Sequence, residues 1–421
     1  MALNIAGLDF RIDTPEANGN TWEKLDEIRE AEPVFWSEEQ QGWLITRHED
    51  LRKALNDRRL SVERITPIFN TLTPEQREKY APIKDALTKW MLLTDDQAMH
   101  NRLRKFLLHG FATSIVEGMR GLVEKCCGEL YDDLAAKEGE SIDWIGDFAH
   151  ALPAYVVMDL VGMPKENLAD FQRWSWDVVT VVGSSHPTEE RLEAGLKSVH
   201  EMNEFYGEQI RIRRADPRDD MLTAMIQAND NDDTMTDEEI IATCSLLMVA
   251  GHQTTQQQLG NSMLELIRHP DQRDYFLDHP EKIKTMSEEL QRYCGVINAM
   301  VRVATEDFEW HDKQIKKGDA VWLMFHPASR DPRMYENPTE LDLSRENPYP
   351  LAFGPGIHFC LGHQMAKMEL EVALRMVWER FEKIELMDKE IPWTDSIAHR
   401  GLSKLNVRMT PRRQALSKAA E

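Results

Sequence analysis

Residues 236–269 constrain the fold more than any other stretch of this chain. The segment opens on Thr236-Asp237-Glu238-Glu239, in which a threonine hydroxyl and a glutamate three residues on can cap each other's backbone amides, and it stops at Pro270. Ile240, Leu246, Leu247 and Ala250 fall at helical spacing between those ends. At 1.5 Å per residue the run spans roughly 50 Å, too long for a surface helix of a compact domain, so a central position is expected. In its middle, Ala250-Gly251-His252-Gln253-Thr254-Thr255 collects poor helix formers, and hydroxyls there can bond back to the preceding turn. A kink or widened turn is therefore expected, and such a turn is a place for a small ligand.

The surrounding pattern is mainly helical with two β-rich patches. Residues 33–36 and 42–46 read as short strands split by a polar turn and followed by a helix-like 49–56, giving a β-rich part at about 30–50. Beyond residue 100 helical spacing dominates, as at Leu103, Phe106 and Leu107, until a second β-rich patch at 301–325. No linker-like tract and no internal repeat interrupts the chain, so one domain over 1–421 is expected, of mainly α class with smaller β regions (α+β). A net charge of -23 argues against a nucleic-acid partner, because phosphate binding calls for surplus Lys and Arg. No stretch reaches the roughly 18 apolar residues of a membrane helix, and the start lacks a basic region followed by an apolar segment. A cytoplasmic protein without membrane insertion is the expectation.

Of the five cysteines, Cys126, Cys127, Cys244 and Cys294 read as small apolar fillers, with no Cys-x-x-Cys pair to suggest zinc. Cys360 differs. It lies in Phe353-Gly354-Pro355-Gly356-Ile357-His358-Phe359-Cys360-Leu361-Gly362, just ahead of a strongly helical stretch, 364–381. The amides and positive dipole end of a helix N-terminus favour thiolate over thiol, and glycines permit positive φ or close approach to a flat ligand. The alternative is a buried cysteine in a Gly-rich turn. The string resembles the heme-binding loop of the cytochromes P450.

That resemblance extends over nearly the whole chain. It implies the cytochrome P450 fold with a long central helix crossing the heme, heme b (iron protoporphyrin IX) as cofactor, and Cys360 as its axial iron ligand. Glu289-Leu290-Gln291-Arg292 looks like the family's Glu-x-x-Arg pair, and 328–332 followed by Phe353 looks like the segment that completes the same network. His100 and Arg104, Arg302, and His358 match positions where the family holds the heme propionates; Phe353, Gly354 and Gly362 belong to the heme loop. Each alone could be a solvated surface residue. Family position further implies an apolar substrate pocket drawn from 61–93, 171–186, Val249, Ala250, 296–300 and 397–402, with Leu92, Val296, Ile297 and Met300 among its residues; each could equally be core. The segment 183–187 looks like a mobile lid.

The resemblance implies a heme-thiolate monooxygenase that uses dioxygen to hydroxylate or oxidatively dealkylate a hydrophobic small molecule. A separate ferredoxin and ferredoxin reductase would supply the electrons, docking near Arg102, Lys105 and Lys367. The chain departs from the family at Gln253, where an acid usually relays protons; Thr254 keeps the alcohol role. An amide cannot shuttle a proton by ionising. Water carries the protons, another residue supplies them, or the enzyme uses hydrogen peroxide or performs an unusual oxidative coupling. A non-enzymatic heme sensor is a further alternative.

Overall fold

The computed structural model describes residues 9–20, 22–108, 110–183, 187–228 and 234–412. They divide into two compact units, Met1–Leu60 with Met119–Leu152 and Thr254–Glu421, and Ser61–Gly118 with Pro153–Gln253. The boundary falls within one helix, Asp237–Arg268, 32 residues long. Its start is capped as the sequence implies: Glu239 N–H donates to Thr236 Oγ1 at 3.3 Å and Thr236 N–H to Glu239 Oε2 at 3.0 Å.

The widened turn expected at 250–255 is absent, and the helix stays α-helical throughout. Packing outweighs the weak propensity of these residues. His252, Gln253 and Thr255 are buried, and a Cβ on Gly251 would lie 3.2 Å from Val157 Cγ2. A π-helical turn occurs instead at Ile145–Ala149, where a Cβ on Gly260 of the central helix would overlap Ile145 Cδ1.

The first unit holds the sheets. Strands β1 (Val34–Ser37), β2 (Gly42–Ile45), β3 (Leu60–Ser61), β5 (Ala299–Ala304) and β8 (Ala320–Met324) form a sheet ordered β1-β2-β8-β5-β3, with β2 and β8 parallel. Alternate residues feed two separate cores: Ile45, Val321 and Leu323 one, Leu44, Trp322 and Met324 the other. Both faces are thus covered, which is why these strands read as continuous apolar runs. Strands β6 (Phe308–Trp310) and β7 (Lys313–Ile315) make a hairpin whose turn residues His311 and Asp312 take φ 47° and 62°.

A third sheet, β4 (Ile142–Asp143), β10 (Asn406–Pro411) and β9 (Phe381–Leu386), was not foreseen in the sequence. The predicted helix 364–381 runs His363–Arg380, and Phe381 already begins β9. That helix packs on Arg120–Ala135, tied by a 2.6 Å hydrogen bond from the buried Tyr131 hydroxyl to Ala373 O. The second unit is helical around the pair Leu168–Val182 and Glu189–Ala215. Arg173 on the first bridges Asp170 and Glu201, and Arg213 on the second is buried against Asp220 at 2.7 Å.

Candidate functional site

Two short 3-10 turns, Leu351–Phe353 and Gly356–His358, build the loop ahead of the helix His363–Arg380. Gly354 and Gly356 take φ 67° and 76°, which side chains rarely adopt. Gly362 instead sits at φ −85° as the helix N-cap, so left-handed freedom is needed at two of the three glycines. Cys360 N–H donates to Phe353 O at 2.9 Å, and His363 Nδ1 lies 3.0 Å from Cys360 O. The loop is thereby fixed at both ends, with the Cys360 thiol just before the positive end of the helix.

Cys360 is half-buried whereas Cys126, Cys127, Cys244 and Cys294 are buried. Burial pushes the thiols of Cys127 and Cys244 well up and that of Cys294 up to about 12. Thiolate chemistry is denied there.

The Glu289-x-x-Arg292 spacing becomes a bidentate ion pair with both bonds at 2.7 Å and both side chains fully buried. Arg292 also donates to Ser329 O at 3.0 Å, Pro338 O at 2.7 Å and Glu340 O at 2.9 Å. Glu289 accepts from the Asp342 amide and from Arg345 Nε, each at 3.1 Å. Of the expected segment 328–332, Ser329 supplies its carbonyl; the contributions of 338–345 have no signal in the sequence, because most are backbone groups met through space.

Arg302 on β5 is buried and donates to Val301 O at 3.1 Å; His358 is half-buried. His100 and Arg104 stand one turn apart on the helix Gln97–Leu108, the first buried and the second half-buried. Burial, with a smaller push from the Arg104 charge, holds the His100 imidazole below its ordinary pKa against an opposing hydrogen bond to Asn101. Phe353 lies edge-on to His363 and 5.5 Å from the Lys367 ammonium.

On the central helix Val249 and Gln253 are buried, Gly251 and Thr254 half-buried, and Ala250 exposed. Val296 is buried, while Ile297 and Met300 pack, half-buried, against the core of the larger sheet; Leu92 is 37% exposed. In the second unit a cavity of about 380 Å³ is lined by Ala86, Leu87, Trp90, Val199, Met202 and Ile241 among others. It shares the 61–93 segment with the pocket expected from the sequence, but Leu92, Val249, Ala250, Val296, Ile297 and Met300 do not line it. The share of the helix Glu189–Ala215 was missed, since its apolar residues read as ordinary core. Of the expected lid, Ser184, Ser185 and His186 lie outside the described residues. Arg102 pairs with Glu239 and Lys367 with Glu288 at 2.5 Å, while Lys105 is exposed.

An iron porphyrin asks for a soft axial ligand, cations for its carboxylates, and protein surface that admits a flat ring. A half-buried thiol at a helix N-terminus, two left-handed glycines beside it and the cation Arg302 in the same unit fit that group. His100 and Arg104 add donors of the same kind.

A family profile described as Cytochrome P450 matches residues 62–274 and 283–406. The polyketide biosynthesis cytochrome P450 PksS of Bacillus subtilis is 31% identical over 413 residues, 96% of this chain and 99% of that protein. The 6-deoxyerythronolide B hydroxylase of Saccharopolyspora erythraea is 31% identical, covering 91% of this chain and 94% of the relative. Among solved structures, P450BioI in complex with an acyl carrier protein ligated to hexadec-9Z-enoic acid superposes with a TM-score of 0.86 at 28% identity, over 94% of this chain and 100% of the other. The chain therefore belongs to the cytochrome P450 family and is a heme-thiolate monooxygenase, an oxidoreductase.

Proposed function

We propose that this enzyme uses dioxygen to hydroxylate, or oxidatively dealkylate, a hydrophobic small molecule in the cytoplasm. The observation that carries this reading is the pairing of an intact Cys360 loop with Thr254, half-buried on the central helix. Cys360 would hold the heme iron; His100, Arg104, Arg302 and His358 would hold its propionates. The bound group supplies oxygen activation at iron, promoted by electron donation from the thiolate. The protein's own share is to bind and orient the substrate, keep water out, and present the Thr254 hydroxyl as a donor and acceptor of protons.

Two observations bear on the substrate. Val249, Val296, Ile297 and Met300, which the resemblance puts at the pocket, are apolar, as a lipophilic ligand requires. Relatives named for polyketide synthesis, 6-deoxyerythronolide B hydroxylation and a fatty acyl carrier protein complex point to a reduced, carbon-rich skeleton. Among the described residues no helix is long and apolar enough to cross a membrane. Electrons would come from a ferredoxin and its reductase. Of the basic residues that the resemblance places near that partner, Lys105 is exposed, and Arg102 and Lys367 hold the carboxylates of Glu239 and Glu288.

Buried Gln253 favours a second reading, a peroxide-using oxygenase or coupling enzyme. Gln253→Glu separates the two. A rise in dioxygen-coupled turnover with a fall in peroxide-driven turnover supports the peroxide reading. Dioxygen turnover that equals or exceeds peroxide turnover in the unaltered enzyme, with no change in the variant, supports the first.

A further inference from the structure

Beyond Thr254 the central helix carries an unusual amount of buried polarity. Gln257, Gln258, Asn261 and Glu265 are 7%, 8%, 0% and 5% exposed. At 3.6 residues per turn these four and Thr254 fall within an arc of roughly 100°, so one face of the helix is polar over about 17 Å. A buried polar face of this kind contributes less to stability than an apolar one of the same shape. Its retention asks for a reason.

The face is tied to two backbone segments, the end of the helix Ile283–Cys294 and residues 400–401. Asn261 Nδ2 donates to Cys294 O and to Arg400 O, both at 3.0 Å, which fixes the orientation of its amide. Gln257 lies against the next residue along, Gly401, where a Cβ would run into its Oε1. Three fully buried polar atoms in this cluster have no hydrogen-bond partner among the described residues: Gln257 Oε1, Asn261 Oδ1 and Arg400 NH1. Arg400 is 3% exposed, donates through Nε to Asn18 O at 2.8 Å, and is sandwiched by Trp22 and Trp393 at 4.4 and 3.9 Å. Burial pushes its pKa down to about 10, with the Glu265 charge acting in the opposite sense. Two acceptors and a charged donor, buried and unmet, are the surroundings in which ordered water is held.

The far end of the face reaches solvent. Glu265 pairs with Arg268 at 3.2 Å, and its Oε2 lies 3.5 Å from His269 Nδ1, which is also 3.0 Å from the Glu265 carbonyl oxygen; His269 is 35% exposed and stacks edge-on to Tyr293. Arg268, His269, Tyr293, Cys294 and Arg400 are thus the titratable and charged groups around Glu265.

We propose that this face is a proton track. Ordered waters bridging Gln257, Asn261 and Arg400 connect the Glu265 carboxyl to the Thr254 hydroxyl, and His269 refills Glu265 from bulk solvent. The track takes over the proton delivery that Gln253 cannot perform. It rests on the dioxygen-dependent reading, RH + O2 + 2 electrons + 2 H+ giving ROH + H2O, which consumes two protons per turnover. The peroxide route, RH + H2O2 giving ROH + H2O, consumes none. Glu265 does not touch substrate; it is a relay residue acting through water.

The test has one readout that needs no turnover. An atomic-resolution crystal structure of the holoenzyme should show water on Gln257 Oε1, Asn261 Oδ1 and Arg400 NH1; a dry cluster overturns the proposal. In the holoenzyme, Glu265→Gln should lower dioxygen-coupled product formation roughly tenfold, short of the 10²–10⁴ of a directly placed acid because solvent is a competing source. It should also raise the solvent deuterium isotope effect, leave peroxide-driven turnover and the substrate-induced spin-state shift unchanged, and be partly rescued by Glu265→Asp. Unchanged coupling and isotope effect in Glu265→Gln overturn the track. If unaltered enzyme consumes no dioxygen with any reductant, the dioxygen reading itself fails, and the water positions still decide whether the track exists.

Discussion

Around Glu289 and Arg292 the protein alone completes every hydrogen bond: five from the guanidinium, two more into the carboxylate. Around Asn261 and Arg400, in the same unit, two acceptors and a cationic donor are buried without a partner among the described residues. Both clusters are removed from bulk water, so the difference is one of completion. A finished network has a single arrangement and holds the segment 329–345 to its helix whatever the solvent does. An unfinished one must recruit water, and water exchanges protons.

Breaking the finished network should have the largest effect. Arg292→Ala leaves the Glu289 carboxylate buried without its guanidinium and should cost about 3–5 kcal/mol. Thermal unfolding of the heme-free chain reads this directly; a loss under about 1 kcal/mol would mean the network is not holding the fold.

A second unfinished site tests solvent independence from the other direction. Glu369, buried on the helix His363–Arg380, has a carboxyl oxygen with no partner among the described residues, and burial pushes its pKa from 4.5 up to about 8. The folded state then holds a proton that the unfolded state releases. Stability is therefore highest below pH 4.5 as far as this group is concerned, and falls as pH climbs from about 4.5 through about 8, by up to a few kcal/mol. Glu369→Gln should flatten that decline in a series of melts across the range; an equal slope in the variant would assign the pH dependence elsewhere.

The smallest effect sharpens the comparison. Asn261→Leu strands the Cys294 and Arg400 carbonyls and should cost about 1–3 kcal/mol, less than Arg292→Ala, because it leaves neutral acceptors unpaired rather than a buried charge. Equal losses from the two substitutions, measured by denaturant unfolding, would erase the distinction between the clusters.

What the sequence revealed and what it concealed follow one physical line. The Cys360 loop and the capped central helix are legible because their signals are local: glycine beside cysteine, Thr236 three residues before Glu239. The Glu289-Arg292 spacing is legible too, but most of its outer partners are backbone groups brought in from residues 329–342 by the fold. Strand β9 escaped notice because Glu382, Lys383 and Glu385 make it read as a polar continuation of the preceding helix. The regular turn at 250–255 was missed because propensity favours a kink there, and only the burial of His252, Gln253 and Thr255 shows what overrules it. Glu265 gave no sign at all: an acid near a helix end reads as solvated, and its burial is a property of what packs on it.

The central claim is that the Cys360 thiolate holds heme iron. Its most direct test is the carbon monoxide difference spectrum of the dithionite-reduced protein, recorded for the unaltered chain and for Cys360→Ser side by side. The account predicts a Soret band at the thiolate-ligated position in the first and its loss in the second. A spectrum of histidine-ligated heme that the substitution leaves unchanged would contradict it.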